Sequence, residues 1–259
     1  MFNPERATLR SRRKASRGTM LIELLVGLAV AAIAIGAAIA SLLVARDVAV
    51  TVNELAVLQQ DGSHAMRVLS HQIRTVGSNA LQASPGNSGR FRFAAGTPTD
   101  ETFTHVHGVE GAAGASDSVR LFQVSPPLLP SQQYDCLGQR ADAGAPVEAA
   151  FDVDSRGSLR CKGNAKTAQP LIAGVTAFKL RYRVRQGDQV RSLDAADVEA
   201  ARLWPTVTAL EVCLELQGQA RTAAFETNYA DCLGRSASTD GRLKLVTRGV
   251  FALRTQART

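Results

Sequence analysis

Four cysteines, four histidines and one carboxylate in an otherwise uncharged run are the residues here whose chemistry depends on placement. Cys136, Cys161, Cys213 and Cys232 all lie beyond an N-terminal apolar stretch. No two of them have the short spacing of a zinc knuckle, so disulfides are the expected use. Four cysteines allow three pairings. The sequential one, Cys136 with Cys161 and Cys213 with Cys232, closes the short loops and is expected, each bond stabilising by roughly 3 kcal/mol. His105 and His107 alternate, so on a strand they would share a face. No third ligand is near, which favours a solvent-facing pair on an edge strand over a metal site. His64 and His71 are two helical turns apart, too far for one ion. Asp152-Val153-Asp154-Ser155-Arg156-Gly157 begins like a calcium loop, but Arg156 occupies a ligand position and Gly163 stands where the bidentate Glu belongs. It reads as a turn. The sequence contains no HExxH, GxSxG, Walker or dinucleotide motif. No catalytic residue, metal or cofactor is expected.

The lone carboxylate is Glu23. It heads the segment Gly18-Thr19-Met20-Leu21-Ile22-Glu23, after which 22 residues, Leu24 to Ala45, carry no charge. About 20 apolar residues span a bilayer, and a carboxylate at that depth costs a few kcal/mol, which marks it as functional. A secretory signal peptide is one alternative, with Ala38-Ile39-Ala40 as the cleavage site and Ser41 as the new terminus. The run is longer than the roughly 7–15 residues of a signal core. A plain anchor accounts for the length but gives no role to Gly18 or Glu23. The charge balance orients the segment. Six basic residues (Arg6, Arg10, Arg12, Arg13, Lys14 and Arg17) against Glu5 place +5 of the net +7 before Thr19. A basic flank stays cytoplasmic, so the cysteines face an oxidising compartment.

These residues need elements to hold them. Past Arg46, apolar residues at Val48, Val52, Leu55, Leu58, Ala65, Leu69, Ile73 and Val76 keep helical spacing. Arg46, Asp47, Glu54, Arg67 and Arg74 are expected to look outward. Gly62 is expected to mark a bend, and Gly77 with Ser84-Pro85-Gly86-Asn87-Ser88-Gly89 to end the helix. Strand character then recurs at Arg90–Phe93, Glu101–Val109, Ser118–Val124, Ala149–Val153, Ala177–Val184, Thr206–Leu216 and Leu243–Leu253, separated by turn residues. Leu193–Leu203 reads as a short helix or loop. The fold class is α+β, one long N-terminal helix over a mainly antiparallel sheet. Arg242, Lys244, Arg248 and Arg254 share strand parity, opposite Leu243, Leu245 and Phe251. Their face is either solvated or a surface for nucleic acid or an acidic partner.

The segment Gly18 to Leu24 resembles the processing site of type IV prepilins and pseudopilins. The resemblance implies cleavage after Gly18 by prepilin peptidase, N-methylation of Thr19, and an assembly role for Glu23 opposite a neighbour's N-terminus. Thr19 departs from the family's usual Phe, Met or Leu. Further pieces are similar to the PilW-type minor pilins: Leu58-Gln59-Gln60-Asp61, Leu69-Ser70-His71-Gln72-Ile73-Arg74, Asp117-Ser118-Val119, Asp135-Cys136-Leu137-Gly138, Leu159-Arg160-Cys161, Trp204-Pro205 and Asp240-Gly241-Arg242-Leu243. The implied organisation is a cytoplasmic leader (1–18), a transmembrane and filament-core helix (19–45), its amphipathic continuation (46–77) and a β-rich periplasmic head (78–259). The implied function is that of a non-catalytic minor pilin in initiation of type IV pili, serving twitching motility, adhesion or DNA uptake. The alternative is a minor pseudopilin of a type II secretion system. Expected partners are prepilin peptidase, other minor pilins, the major pilin, the inner membrane and its assembly platform. The expected location is the inner membrane, single-pass, and after assembly the pilus tip.

Overall fold

A computed structural model describes residues 19–76, 81–83, 91–93, 105–112, 114–124, 134–140, 146–164, 167–221 and 227–253. The chain divides into two compact units, the first ending at Val52 and the second running from Asn53. Helix α1, Thr19–Thr75, contributes to both. In the first unit it is built of Ala, Leu, Ile and Val without a proline, good helix formers mixed with β-branched residues. Its side chains from Leu21 to Val50 are exposed. The leader, with Gly18, lies outside the described residues.

In the second unit α1 buries Leu58, Gly62, Ala65, Leu69, Gln72 and Ile73, and Val76 is buried just past its end. That spacing of three and four is the expected apolar face, but it begins at Leu58: Val48 and Val52 are exposed. Gly62 sits inside unbroken helix, where a Cβ would come within 3.2 Å of Leu216 and 3.4 Å of Leu245. It permits close packing on a sheet. Glu54 departs from its expected outward position: its Oε1 accepts a hydrogen bond from the Ala220 amide at 2.7 Å. The helix stops at Thr75, whose hydroxyl turns back to donate to the His71 and Gln72 carbonyls. Gly77 and residues 84–90 lie outside the described residues.

Among the described residues every strand pairing is antiparallel, and the strands form two main sheets. The first has the order β13-β10-β8-β9: Arg242–Ala252, Val207–Arg221, Val175–Gln186 and Gln189–Leu193. The second runs β3 to β7 in sequence: Val106–Val109, Ser118–Val124, Pro146–Val153, Leu159–Lys162 and Gln169–Ile172. Two small two-stranded sheets pair β1 (Leu81–Ala83) with β2 (Phe91–Phe93), and β11 (Asn228–Ala230) with β12 (Ser236–Ser238), the latter a hairpin. The long expected strands are all present over their described residues; Glu101–Thr104 lie outside them. The additional strands are short. Between β9 and β10, Asp194 caps helix α2 (Ala195–Ala200) by accepting from the Asp197 amide at 2.8 Å, and Trp204-Pro205-Thr206 forms a single 3₁₀ turn.

One core joins the α1 face to both sheets, through Leu69, Leu121, Phe151, Phe178, Leu210 and Leu214 among others. Inside it Gln123 donates to Gln72 at 3.1 Å and Thr75 at 2.6 Å, tying β4 to the end of α1. Tyr182 is fully buried over Gly108, where a Cβ would overlap its hydroxyl oxygen.

Candidate assembly segment and head surface

From Leu21 to Val44 the helix is apolar on every side, and it is the one helix among the described residues long and apolar enough to cross a membrane. Its side chains stand open within the chain: Leu21 is 70% exposed and Ile33 72%. A helix apolar all round belongs inside something, either lipid or a bundle of like helices. Covering each large side chain gains about 1.5–3 kcal/mol. Glu23 lies in this surface, one helical turn past Thr19, the first residue of α1.

The cysteines pair Cys136 with Cys161 and Cys213 with Cys232. Each bond pins a tight Asp-Cys-Leu-Gly turn to a strand, β6 for the first and β10 for the second. In both turns one carboxylate oxygen caps two backbone amides. Asp135 accepts from Leu137 and Gln139 at 2.9 and 2.8 Å; Asp231 accepts from Leu233 and Arg235 at 2.9 and 2.7 Å. Asp154 does the same for Arg156 and Ser158, both at 2.9 Å, so the segment with calcium-loop character is a turn of this kind. The Ser158 amide leads in holding the Asp154 carboxyl below its ordinary range. At Asp231 burial pushes the other way, but hydrogen bonds from Arg235 and Leu233 outweigh it and the carboxyl stays low.

On the outer face of the four-stranded sheet lies a groove of about 1080 Å³, lined on one side by Glu110, Gly111 and Asp117 and on the other by the β11–β12 hairpin. Three of its basic residues are paired from within. Lys179 pairs with Asp117 at 2.9 Å, Arg183 with Glu211 at 2.6 Å and Arg235 with Asp231 at 3.0 Å. Glu215, buried, accepts from the Cys232 amide and the Tyr229 hydroxyl. Burial, then the Glu215 charge, pushes the Tyr229 hydroxyl up to about 12.

No family model matches the sequence, and no curated protein matches it. Among solved structures, the chain is similar to a type IV-like pilin, TTHA1219 from Thermus thermophilus. The TM-score is 0.46 and the identity 18%, over 78% of this chain and 98% of that one.

The remaining expected residues scatter. His64 and His71 are exposed on α1. His105 precedes β3, and burial lowers its pKa. His107, on β3, lies 3.6 Å from Glu199 and stacks at 5.1 Å on Trp204. The pair therefore departs from the expected solvent-facing arrangement, because α2 and the 3₁₀ turn pack beside this edge. No group of three or more potential metal ligands occurs among the described residues. Arg242, Lys244 and Arg248 lie opposite Leu243, Leu245 and Phe251 as expected; Arg254 is outside the described residues. Sequence reasoning missed Glu54, Asp117 and Glu215. The repeated Asp-x-x-Gly spacing was the available signal for Asp135, Asp154 and Asp231, whereas Glu54 sits at a helical position that periodicity assigns to solvent.

Proposed function

We propose that this chain is a minor pilin, a non-catalytic subunit that helps initiate type IV pilus assembly. The observation that carries the reading is the Gly18-to-Glu23 motif opening directly into a helix whose large apolar side chains are exposed on all sides. After cleavage behind Gly18, the Thr19 amine would lie about 6 Å along the helix axis from Glu23, four residues at 1.5 Å each. Within a filament core, a neighbour's amine would neutralise Glu23 while the apolar surface is covered. An isolated charge would be expensive there, so the pair sets register. The head, stapled by two disulfides, rides outside, and the partners are prepilin peptidase, the other pilins and the inner-membrane assembly platform.

The test is intact-mass and N-terminal analysis of the protein from its host, with and without prepilin peptidase. A chain beginning at N-methylated Thr19 only when the peptidase is present is expected. A chain beginning at Ser41 would mean a signal peptide, and an uncut chain in both strains a plain anchor; either sinks the proposal. Glu23→Ala should leave processing intact while lowering incorporation into filaments.

A further inference from the structure

The β-strand edges of the head are treated unequally. In the five-stranded sheet, β3 and β7 are four residues each; α2 packs beside β3, and β7 carries Pro170, which removes a backbone donor. In the four-stranded sheet, β9 closes one edge over five residues. Where β9 ends, the exposed backbone of β8 is sealed by another segment. Asp117 donates its amide to the Phe178 carbonyl at 2.8 Å, Ser116 Oγ accepts from the Phe178 amide at 3.1 Å, and Asp117 Oδ2 accepts from the Leu180 amide at 2.8 Å. The opposite edge is β13, eleven residues long and without proline.

The register fixes which backbone groups β13 leaves open. Leu253 donates to the Thr208 carbonyl at 2.9 Å, and Ala252 lies opposite Ala209. In an antiparallel ladder the hydrogen-bonded pairs alternate. Leu245, Thr247, Gly249 and Phe251 therefore turn their amides and carbonyls toward β10, and Lys244, Val246, Arg248 and Val250 turn theirs to the free edge. Among the described residues no strand pairs with that edge. The basic side chains do not blunt it either, because all three lean inward across the sheet. Arg242 donates to the Gly218 and Gln219 carbonyls, Lys244 reaches Thr176 and the Tyr229 ring, and Arg248 donates to the Asp231 carbonyl. None of the three makes an ion pair among the described residues; the Glu215 and Asp240 carboxylates act on Lys244 from a distance, which leaves Arg242 and Arg248 as the two cations of the strip without a carboxylate partner.

We infer that the free edge of β13 accepts an extended segment of a different protein, added as a fifth strand, with Asp or Glu at alternate positions beside Arg242, Lys244 and Arg248. Strand addition satisfies backbone groups that otherwise rely on water, and the side-chain alternation supplies selectivity. A second copy of this chain is the wrong occupant: pairing two β13 edges would gather six cations in one strip, a like-charge arrangement that opposes pairing.

The test uses the full chain in detergent and two synthetic eleven-residue peptides of alternating Thr or Val, one with Asp and one with Lys at the intervening positions. Amide exchange in the free chain comes first. Exchange at Lys244, Val246, Arg248 and Val250 should be fast beside slow Thr247 and Phe251; equal protection would mean the edge is already covered and overturns the inference. The Asp peptide should then bind saturably, slow exchange at those four amides, and outcompete the Lys peptide by about tenfold or more, roughly the contribution of one or two charge-assisted contacts. Val250→Pro removes an outward amide and spares the β10 ladder, so it should weaken Asp-peptide binding by about tenfold with an unchanged melting curve. Protection that appears in the groove residues, or binding indifferent to Val250→Pro, would also overturn it.

Discussion

The turns at Asp135-Cys136-Leu137-Gly138 and Asp231-Cys232-Leu233-Gly234 share four residue types and one backbone geometry. In each, the Asp amide donates to the carbonyl four residues on, the Gly amide returns to the Asp carbonyl, and Gly takes φ of +76° or +77°. Their surroundings differ. Both aspartates are buried, but the second oxygen of Asp135 accepts from the Asn164 backbone amide, and Gly163 has no room for a Cβ beside it. Leu137 packs on the core, and Cys161 is wholly buried. In the second turn the other oxygen of Asp231 meets an exposed Arg235, Leu233 is 56% exposed, and Glu215 reaches the Cys232 amide. Local residues set the shape of a turn; the face it lands on sets how much the fold depends on it.

The largest expected effect separates the disulfides. Replacing either pair by Ala should cost roughly 3 kcal/mol from loop entropy, and Cys136→Ala with Cys161→Ala should cost more, since it also removes packing inside the core. Denaturant melts of the full chain in detergent measure both; equal losses would mean burial adds nothing. Next come the carboxylates. Asp135→Ala strands three backbone donors in a buried site and should cost about 3 kcal/mol, against about 1–2 for Asp231→Ala, whose amides can reach water more readily. A reversed order in the same melts would break the contrast.

The glycines should erase the difference. Gly138→Ala and Gly234→Ala each force a left-handed Ala with open space around it, so both should lose about 1–2 kcal/mol and by the same amount. Acid should act most gently. The Asp231 and Asp154 carboxyls are held below their ordinary range, so their contribution is complete above about pH 4 and is lost as pH falls through the folded value. Amide exchange at Leu233, Arg235, Arg156 and Ser158 should quicken below about pH 4, after correction for intrinsic rates. A flat profile down to about pH 2.5 would show that ionisation does not hold these turns.

Much of this was legible in the chain because it rests on neighbours in sequence. An uninterrupted apolar run makes a helix that needs covering, and period-3.6 spacing from Leu58 to Val76 makes one that packs. Asp and Gly three apart make a capped turn wherever they fall, and the long alternating runs make β4, β8, β10 and β13. What tertiary structure alone decided depends on partners distant along the chain. Glu54 lies on the polar side by periodicity, yet the Ala220 amide, 166 residues away, claims it. Asp117 becomes an edge seal only because β8 presents the Phe178 and Leu180 backbone beside it. Strands β6, β7 and β9 are too short for a period to declare them and form because a longer neighbour offers a ladder. The open edge of β13 is likewise absent from its own residues: it follows from β10 occupying one side and no described strand the other.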